Sequence, residues 1–242
     1  MINSPLLAER IRDFRINRIA KIAVGDAPVQ LMNRGSVILH VVPLSAFDVT
    51  STVLPLRQIE RDYSTFVPIG SLTASRARIN FEGILKTSNA DQQAAQHRAY
   101  VQLYRNGIVE TVDSSVTARS SGTAIISGLD DNLIQETMRT LNDLAAVGVE
   151  PPYALLVSLV GVAGARFHLV RNPNDPAWYD HLSHDLQRDQ YHFDEVIFET
   201  IPTSQEECAI VMRPILDQMA NAGGTATSPI FDGQGRYIPL TR

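Results

Sequence analysis

Residues 99–105 and 108–112 are two strand-like runs separated by Asn106-Gly107. This pair is the one best able to supply two successive positive φ angles, which a two-residue hairpin turn requires. The stretch 99–112 therefore demands two adjacent antiparallel strands. In a two-residue turn Tyr104 faces Val109 and Leu103 faces Glu110. Any fold open to this chain contains a sheet built outward from that hairpin.

The rest of the sequence supplies helices to cover the sheet. Ser4-Pro5 opens a helix near 4–24, with serine as cap and proline at the first helical position. Leu7, Ile11, Phe14 and Ile22 recur along one face, and Gly25-Asp26-Ala27-Pro28 ends it. A strand at 37–42, apolar on both faces, implies cover on two sides. Prolines and a glycine interrupt residues 52–78, which read as a short helix and a loop. Residues 79–86 read as one strand with a bulge or close approach at Gly83, and 89–97 as a solvated connection. Asp130 and Asp131 start a helix near 129–147 that carries Leu133, Ile134, Met138, Leu141 and Leu144. The run 153–160 predicts a central strand, with 165–170 returning beside it through Gly161–Gly164. A polar segment containing Trp178 then leads to a strand at 193–201. Ser204 and Glu207 form a capping box for a helix near 204–221 that Pro214 kinks. These elements predict an α/β or α+β fold, a mixed sheet flanked by helices. Residues 1–30 read as a basic helix with its connector, and 31–242 as a single mixed domain.

Composition bounds what such a fold can do. With 242 residues and 44% hydrophobic content the chain can bury a sizeable core. The longest apolar run, 154–165, contains two glycines and a serine and falls short of the roughly 20 residues of a spanning helix. Glu9, Arg10 and Arg12 follow Leu6-Leu7-Ala8 too soon for a secretory signal, so a cytoplasmic protein without membrane contact is expected. Cys208 is the only cysteine, which rules out an internal disulfide and a cysteine-built zinc site. A net charge of −5 argues against nucleic-acid affinity over the whole surface. Only local basic patches remain.

Several residues invite chemistry. His181, His184, Asp185 and His192 have the types needed for a metal, but no glutamate stands between the histidines as the zinc-protease motif requires. Glu82, Lys86, Asp48 and the Asp194-Glu195 pair are the raw material of a metal-dependent nuclease, with Glu82 and Lys86 on one face if 79–86 is a single strand. His40, alone in an apolar strand, reads as a hydrogen-bonded core residue. Ser158 lacks the glycine-flanked elbow of hydrolases. No phosphate-cradling loop or dinucleotide fingerprint is present, and no cofactor is expected. The N-terminal helix carries Arg10, Arg12, Arg15, Arg18 and Lys21, diluted by Glu9 and Asp13. It reads as a docking strut or solvated face, with nucleic-acid contact as the alternative. Arg18 falls inside the apolar stripe, so it snorkels, pairs with an acid, or meets phosphate. Tyr100 and Tyr104 are candidates for base stacking or for cross-strand packing.

The helix ending near Val24, the passage Gly25–Leu31 into the apolar segment 37–47, and the stretches 100–110, 148–152 and 228–232 together resemble a known arrangement. They are similar to the region that follows the Schlafen AlbA-like domain in prokaryotic regulators described as helix-turn-helix or ATP-binding proteins. The AlbA-like domain itself is absent here. The resemblance implies a non-catalytic regulatory or assembly module that contacts a protein partner, a DNA-binding or effector subunit, in phage defence or transcription control. Nucleic acid would then be bound only indirectly, and homo-oligomers are open to it. The competing readings are a metal-dependent nuclease or hydrolase using Glu82 and nearby acids, and an accessory protein that binds nucleic acid through the basic helix.

Overall fold

The computed structural model describes residues 5–32, 34–48, 54–88, 95–120, 122–170 and 180–238. The Ser4 cap, the connection as far as residue 94 and the polar segment around Trp178 lie outside them. Helix α1 (Pro5–Ala23) leads to strand β1 (Ser36–Pro43), a 3-10 turn (Leu44–Phe47) and the short helix α2 (Leu56–Arg61). Strands β2 (Arg78–Ile79), β3 (Gly83–Thr87), β4 (Ala99–Tyr104), β5 (Val109–Asp113), β6 (Thr117–Ser120) and β7 (Thr123–Ser127) precede α3 (Leu129–Ala146). Then come β8 (Tyr153–Val160), β9 (Arg166–Val170), β10 (Asp180–Leu182), β11 (Gln190–His192), β12 (Val196–Phe198) and α4 (Gln205–Ala222). The fold is α+β, with one large antiparallel sheet ordered β11-β8-β1-β5-β4-β3-β2. Strand β12 also pairs with β8, and a smaller sheet runs β10-β9-β7-β6 with β7 and β9 parallel.

Each face of the large sheet is covered, as the doubly apolar β1 required. Along β1 the odd residues Val37, Leu39 and Val41 join the main core with Leu133, Leu141, Met212 and Ile215 of α3 and α4. The even residues face α1. On that side Ile11 packs with Val42, Ala154 and Leu156, while Ile19 and Ile22 pack with Ile38, Leu85 and Val112. Between these two apolar patches lies His40, fully buried. The helix therefore seats its two ends in oil and its middle on a polar site.

Four expectations are corrected. The hairpin turn is a three-residue loop: Tyr104 N donates to Ile108 O at 2.8 Å and Gly107 N to Tyr104 O at 3.0 Å. Gly107 alone takes positive φ there, +86°, the pattern of a type I turn closed by a glycine bulge. Leu103 consequently pairs with Val109 and Gln102 with Glu110. Asn106 stays out of the left-handed region, and its side chain donates to Ala46 O at 3.3 Å.

The predicted strand 79–86 is instead the tight β2–β3 hairpin. Gly83 N donates to the Asn80 side chain at 2.8 Å, and Asn80 N to Gly83 O at 2.9 Å, so Asn80 closes a turn that contains Glu82. Gly83 does mark a close approach, since a Cβ there would lie 2.1 Å from Leu103 O. Strand β9 does not return beside β8 but joins β7 and β10. Both sides of β8 are already taken, one by β1 along its whole length and the other by β11 and β12, so the chain leaves the large sheet at Gly161. The strand at 193–201 is shorter than predicted, Val196–Phe198.

The three long helices stand where their sequence signals put them. Ser204 accepts from Glu207 N at 3.1 Å, and the Glu207 carboxylate accepts in return from Thr203 N at 2.7 Å. Pro214 lies inside α4, and Gly224 at φ +83° closes it, with Thr225 N donating back to Ala220 O.

Candidate functional site

The hairpin register puts Glu110 on the α1 face, with His40 beside it on β1 and Gln102 on β4. Tyr100 and Tyr104 flank it diagonally, since residues two apart on a strand share a face. Arg18 comes down from α1 and donates to Glu110 through Nε at 2.8 Å and Nη2 at 2.9 Å. His40 Nε2 lies 2.9 Å and the Tyr100 hydroxyl 2.7 Å from the same carboxylate, with Tyr104 farther at 3.5 Å. Phe14 stands edge-on to both His40 and Tyr104 and closes the site from above.

Burial alone would raise the Glu110 pKa, but hydrogen bonds from Arg18 and His40 and their charges outweigh it and hold the carboxyl at about 2. Desolvation followed by the Glu110 charge pushes both tyrosine hydroxyls upward. Burial works against the charge on Arg18, yet the Glu110 contacts leave its pKa raised. Glu110 is therefore a fixed anion and the tyrosines are fixed neutral donors. This cluster pins α1 to the sheet.

Arg18 and Tyr104 also line the floor of an open hollow of about 350 Å³ between the end of α1 and the β2–β3 hairpin. Lys21 and Asp26 stand on one side, Arg78, Asn80, Phe81 and Glu82 on the other, and Gln102 at the base. Asn80 Nδ2 donates to Gln102 Oε1 at 2.8 Å. Strand β2 is an end strand of the large sheet, and Phe81 just beyond it is 94% exposed.

Of the basic residues on α1, Arg15 and Arg18 turn inward, while Arg10, Arg12 and Lys21 are exposed. Arg15 is buried and donates to Phe193 O at 2.6 Å, Arg12 pairs with Glu195, and Arg10 Nη1 lies 3.4 Å from Phe47 O. Lys21 is exposed on the hollow. Arg18 pairs with an acid, and His40 is hydrogen-bonded core. Tyr100 and Tyr104 are buried and contact Glu110, which is the packing reading of these residues.

The nuclease set does not converge. Glu82 is exposed in its turn, whereas Lys86 is buried on β3 with Nζ 2.6 Å from both Asp62 O and Thr65 O. That corrects the expectation of a shared face, because Glu82 sits in the Asn80–Gly83 turn while Lys86 lies on β3. Asp194 bonds Gln218, Glu195 meets Arg12, and Asp48 is exposed elsewhere. Among the histidines, His192 Nδ1 lies 3.3 Å from the buried Ser158 hydroxyl and His184 is exposed, while the His181 side chain falls outside the described residues. Among the described residues no group of three or more His, Cys, Asp or Glu side chains is placed to hold a metal. Burial pushes the Cys208 thiol up to about 12, so it is unreactive packing.

Sequence reasoning missed Glu110. Its signal is an acid where alternation demands an apolar residue, between Ile108 and Val112, opposite the equally misplaced His40. Reading that signal needed the correct register. A second cluster went unseen: Glu136, Arg139 and Asp143 of α3 with Lys86, which together hold the loop 62–71.

No helix among the described residues is long and apolar enough to cross a membrane. No protein family, no curated protein and no solved structure matches this chain.

Proposed function

We propose that this protein is a non-catalytic module that docks a protein partner along the open β2 edge of its large sheet. One observation carries the reading: Ile79 and Phe81, at 41% and 94% exposure, put apolar surface on the segment that ends the sheet, and Leu72, at 99%, lies in the loop that leads to it. An end strand presents unpaired backbone donors and acceptors, and an extended segment satisfies them by adding a further strand. The occupant is accordingly an extended stretch of a partner protein with apolar side chains facing this edge. The buried Arg18–Glu110 ion pair, which ties α1 to the sheet, supports a rigid platform. The resemblance to the module beside Schlafen AlbA-like domains would make that partner a DNA-binding or effector subunit in phage defence or transcription control.

A photo-crosslinking residue placed at Phe81 in the native host tests this. A discrete adduct with one protein is expected. It should be absent when the crosslinker sits at the exposed Ile210 on α4 and lost when Ile79→Lys is added. Equal labelling from both positions, or none from Phe81, overturns the reading; an adduct with the chain itself replaces a foreign partner by a second copy.

A further inference from the structure

Beside the docking edge, on the α1 side of β3, lies a separate hollow of about 120 Å³. Arg76 and Arg78 form its outer wall, Val29 and Leu85 its apolar sides, and His97 reaches it from the start of the β4 region. No carboxylate lines it. His97 is only 9% exposed, its backbone is fixed by Gln30 and Met32, and its Nδ1 has no hydrogen-bond partner. An unsatisfied polar atom so deeply buried costs on the order of 1–3 kcal/mol unless something else meets it. Arg76 and Arg78 are exposed and form no ion pair among the described residues, whereas the inward-turned Arg15, Arg18 and Arg139 are spent on carbonyls or carboxylates. Two exposed arginines and an unpartnered imidazole nitrogen on the walls of one hollow give it the groups that an oxyanion needs. Planar forks favour the several oxygens of phosphate.

From this geometry we infer that the hollow binds the phosphate group of a small phosphorylated molecule. Arg78 and Arg76 grip the phosphate oxygens and His97 Nδ1–H donates to one of them. Arg78 also lines the larger hollow with Phe81 and the Asn80–Gln102 amide pair, so the body of the ligand extends there, across an aromatic ring and amide donors and acceptors. The phosphate contacts use none of Leu72, Ile79 or Phe81, the apolar residues of the partner edge, although Arg78 belongs to β2 and the ligand body shares Phe81.

Calorimetric titration of the whole chain with inorganic phosphate and with adenosine monophosphate tests the inference. His97 ring nitrogens are followed by NMR in the same titrations. Saturable binding of phosphate, tighter binding of the nucleotide and a shift of His97 Nδ1 are expected. Arg76→Gln and Arg78→Gln should each weaken binding about tenfold, the loss of one charge-assisted contact. Arg12→Gln, on the far part of α1, should leave it unchanged. Phosphate binding without any gain from the nucleoside supports the phosphate pocket and confines the ligand to free phosphate. Binding that survives the Arg76→Gln/Arg78→Gln double variant, or no binding at millimolar phosphate, overturns the inference. So does steeply salt-dependent binding of a single-stranded oligonucleotide with none of the mononucleotide. The inorganic phosphate arm uses no residue probed by the crosslinking at Phe81, so failure of the pocket and failure of the docking edge are read separately.

Discussion

Glu110 and Glu136 are both sealed from solvent by the fold, yet their carboxyls come to rest near opposite ends of the carboxylate range, about 2 and about 7. Under α1, Glu110 receives a bidentate arginine, an imidazole and a phenol, and these outweigh desolvation. Under the other face, Glu136 has Arg139 and Thr140, but Arg139 divides its donors among Val67 O, Pro68 O and Ser71 O, and desolvation wins. Asp143, also raised by burial to about 6, accepts from Phe66 N, and burial lowers the Lys86 pKa against the pull of Asp62 and Asp143. The first cluster fastens a helix to a sheet with its charges matched. The second holds a loop, including Phe66 at φ +46°, with its charges under-matched near neutral pH. Burial alone therefore says little about charge; the number of donors aimed at the carboxylate decides.

The largest test of this contrast is to empty the first cluster. Glu110→Leu should destabilise the protein by about 3–5 kcal/mol in urea unfolding, because Arg18 is left as a buried unpaired charge. Adding Arg18→Met should recover a good part of that loss. A double variant as unstable as the single one would mean the cluster acts through shape rather than charge.

The next test is pH. The raised Glu136 value means that the folded chain holds this proton more tightly than the unfolded chain. Its contribution is fully favourable below about 4.5 and is lost as pH rises to about 7, roughly 3 kcal/mol in all. Glu110 has the opposite sign: its contribution, also about 3 kcal/mol, is present above 4.5 and is lost as pH falls toward 2. Stability measured from pH 3 to 8 should therefore differ between the wild type and Glu136→Gln mainly between pH 4.5 and 7, with the variant flatter. Parallel curves through that window would refute the assignment.

Lys86→Met removes two charge-assisted bonds to the loop and should cost about 2 kcal/mol, part of the lost bonding being offset by the ammonium no longer needing burial. Limited proteolysis should then cut within 62–71 first. Smallest of all is a distinction inside the first cluster. Tyr100→Phe deletes a bond of 2.7 Å and should cost about 1 kcal/mol, whereas Tyr104→Phe, at 3.5 Å, should stay within about 0.5 kcal/mol. Equal losses would show that both hydroxyls serve the carboxylate alike.

Local signals were legible wherever one element's own chemistry decides its form. The Ser204–Glu207 box, the Leu133–Leu144 stripe and the run 153–160 each became the predicted element, because capping, periodicity and apolar length act within a few residues. The strand 79–86 failed because the Asn80 side chain competes for the backbone, a local option that a hydrophobic pattern does not display. The place of β9 was not legible, since what excluded it from β8 was occupancy by strands far away in the chain. Of the two hollows, neither Arg78 nor His97 carried a signal, because each matters only through neighbours from distant segments.

The sequence by itself determined that this chain makes a helix-covered sheet containing a 99–112 hairpin, with three long helices at fixed places. Those features follow from short-range backbone preference and from the repeat of apolar residues, which any sufficiently long segment expresses on its own. Only the tertiary structure decided the hairpin register, and with it the meeting of Glu110, His40, Arg18 and Tyr100. A shift of one residue along a strand exchanges its faces, and the energy that selects the register comes from charges and side chains that meet only once the sheet and α1 are packed.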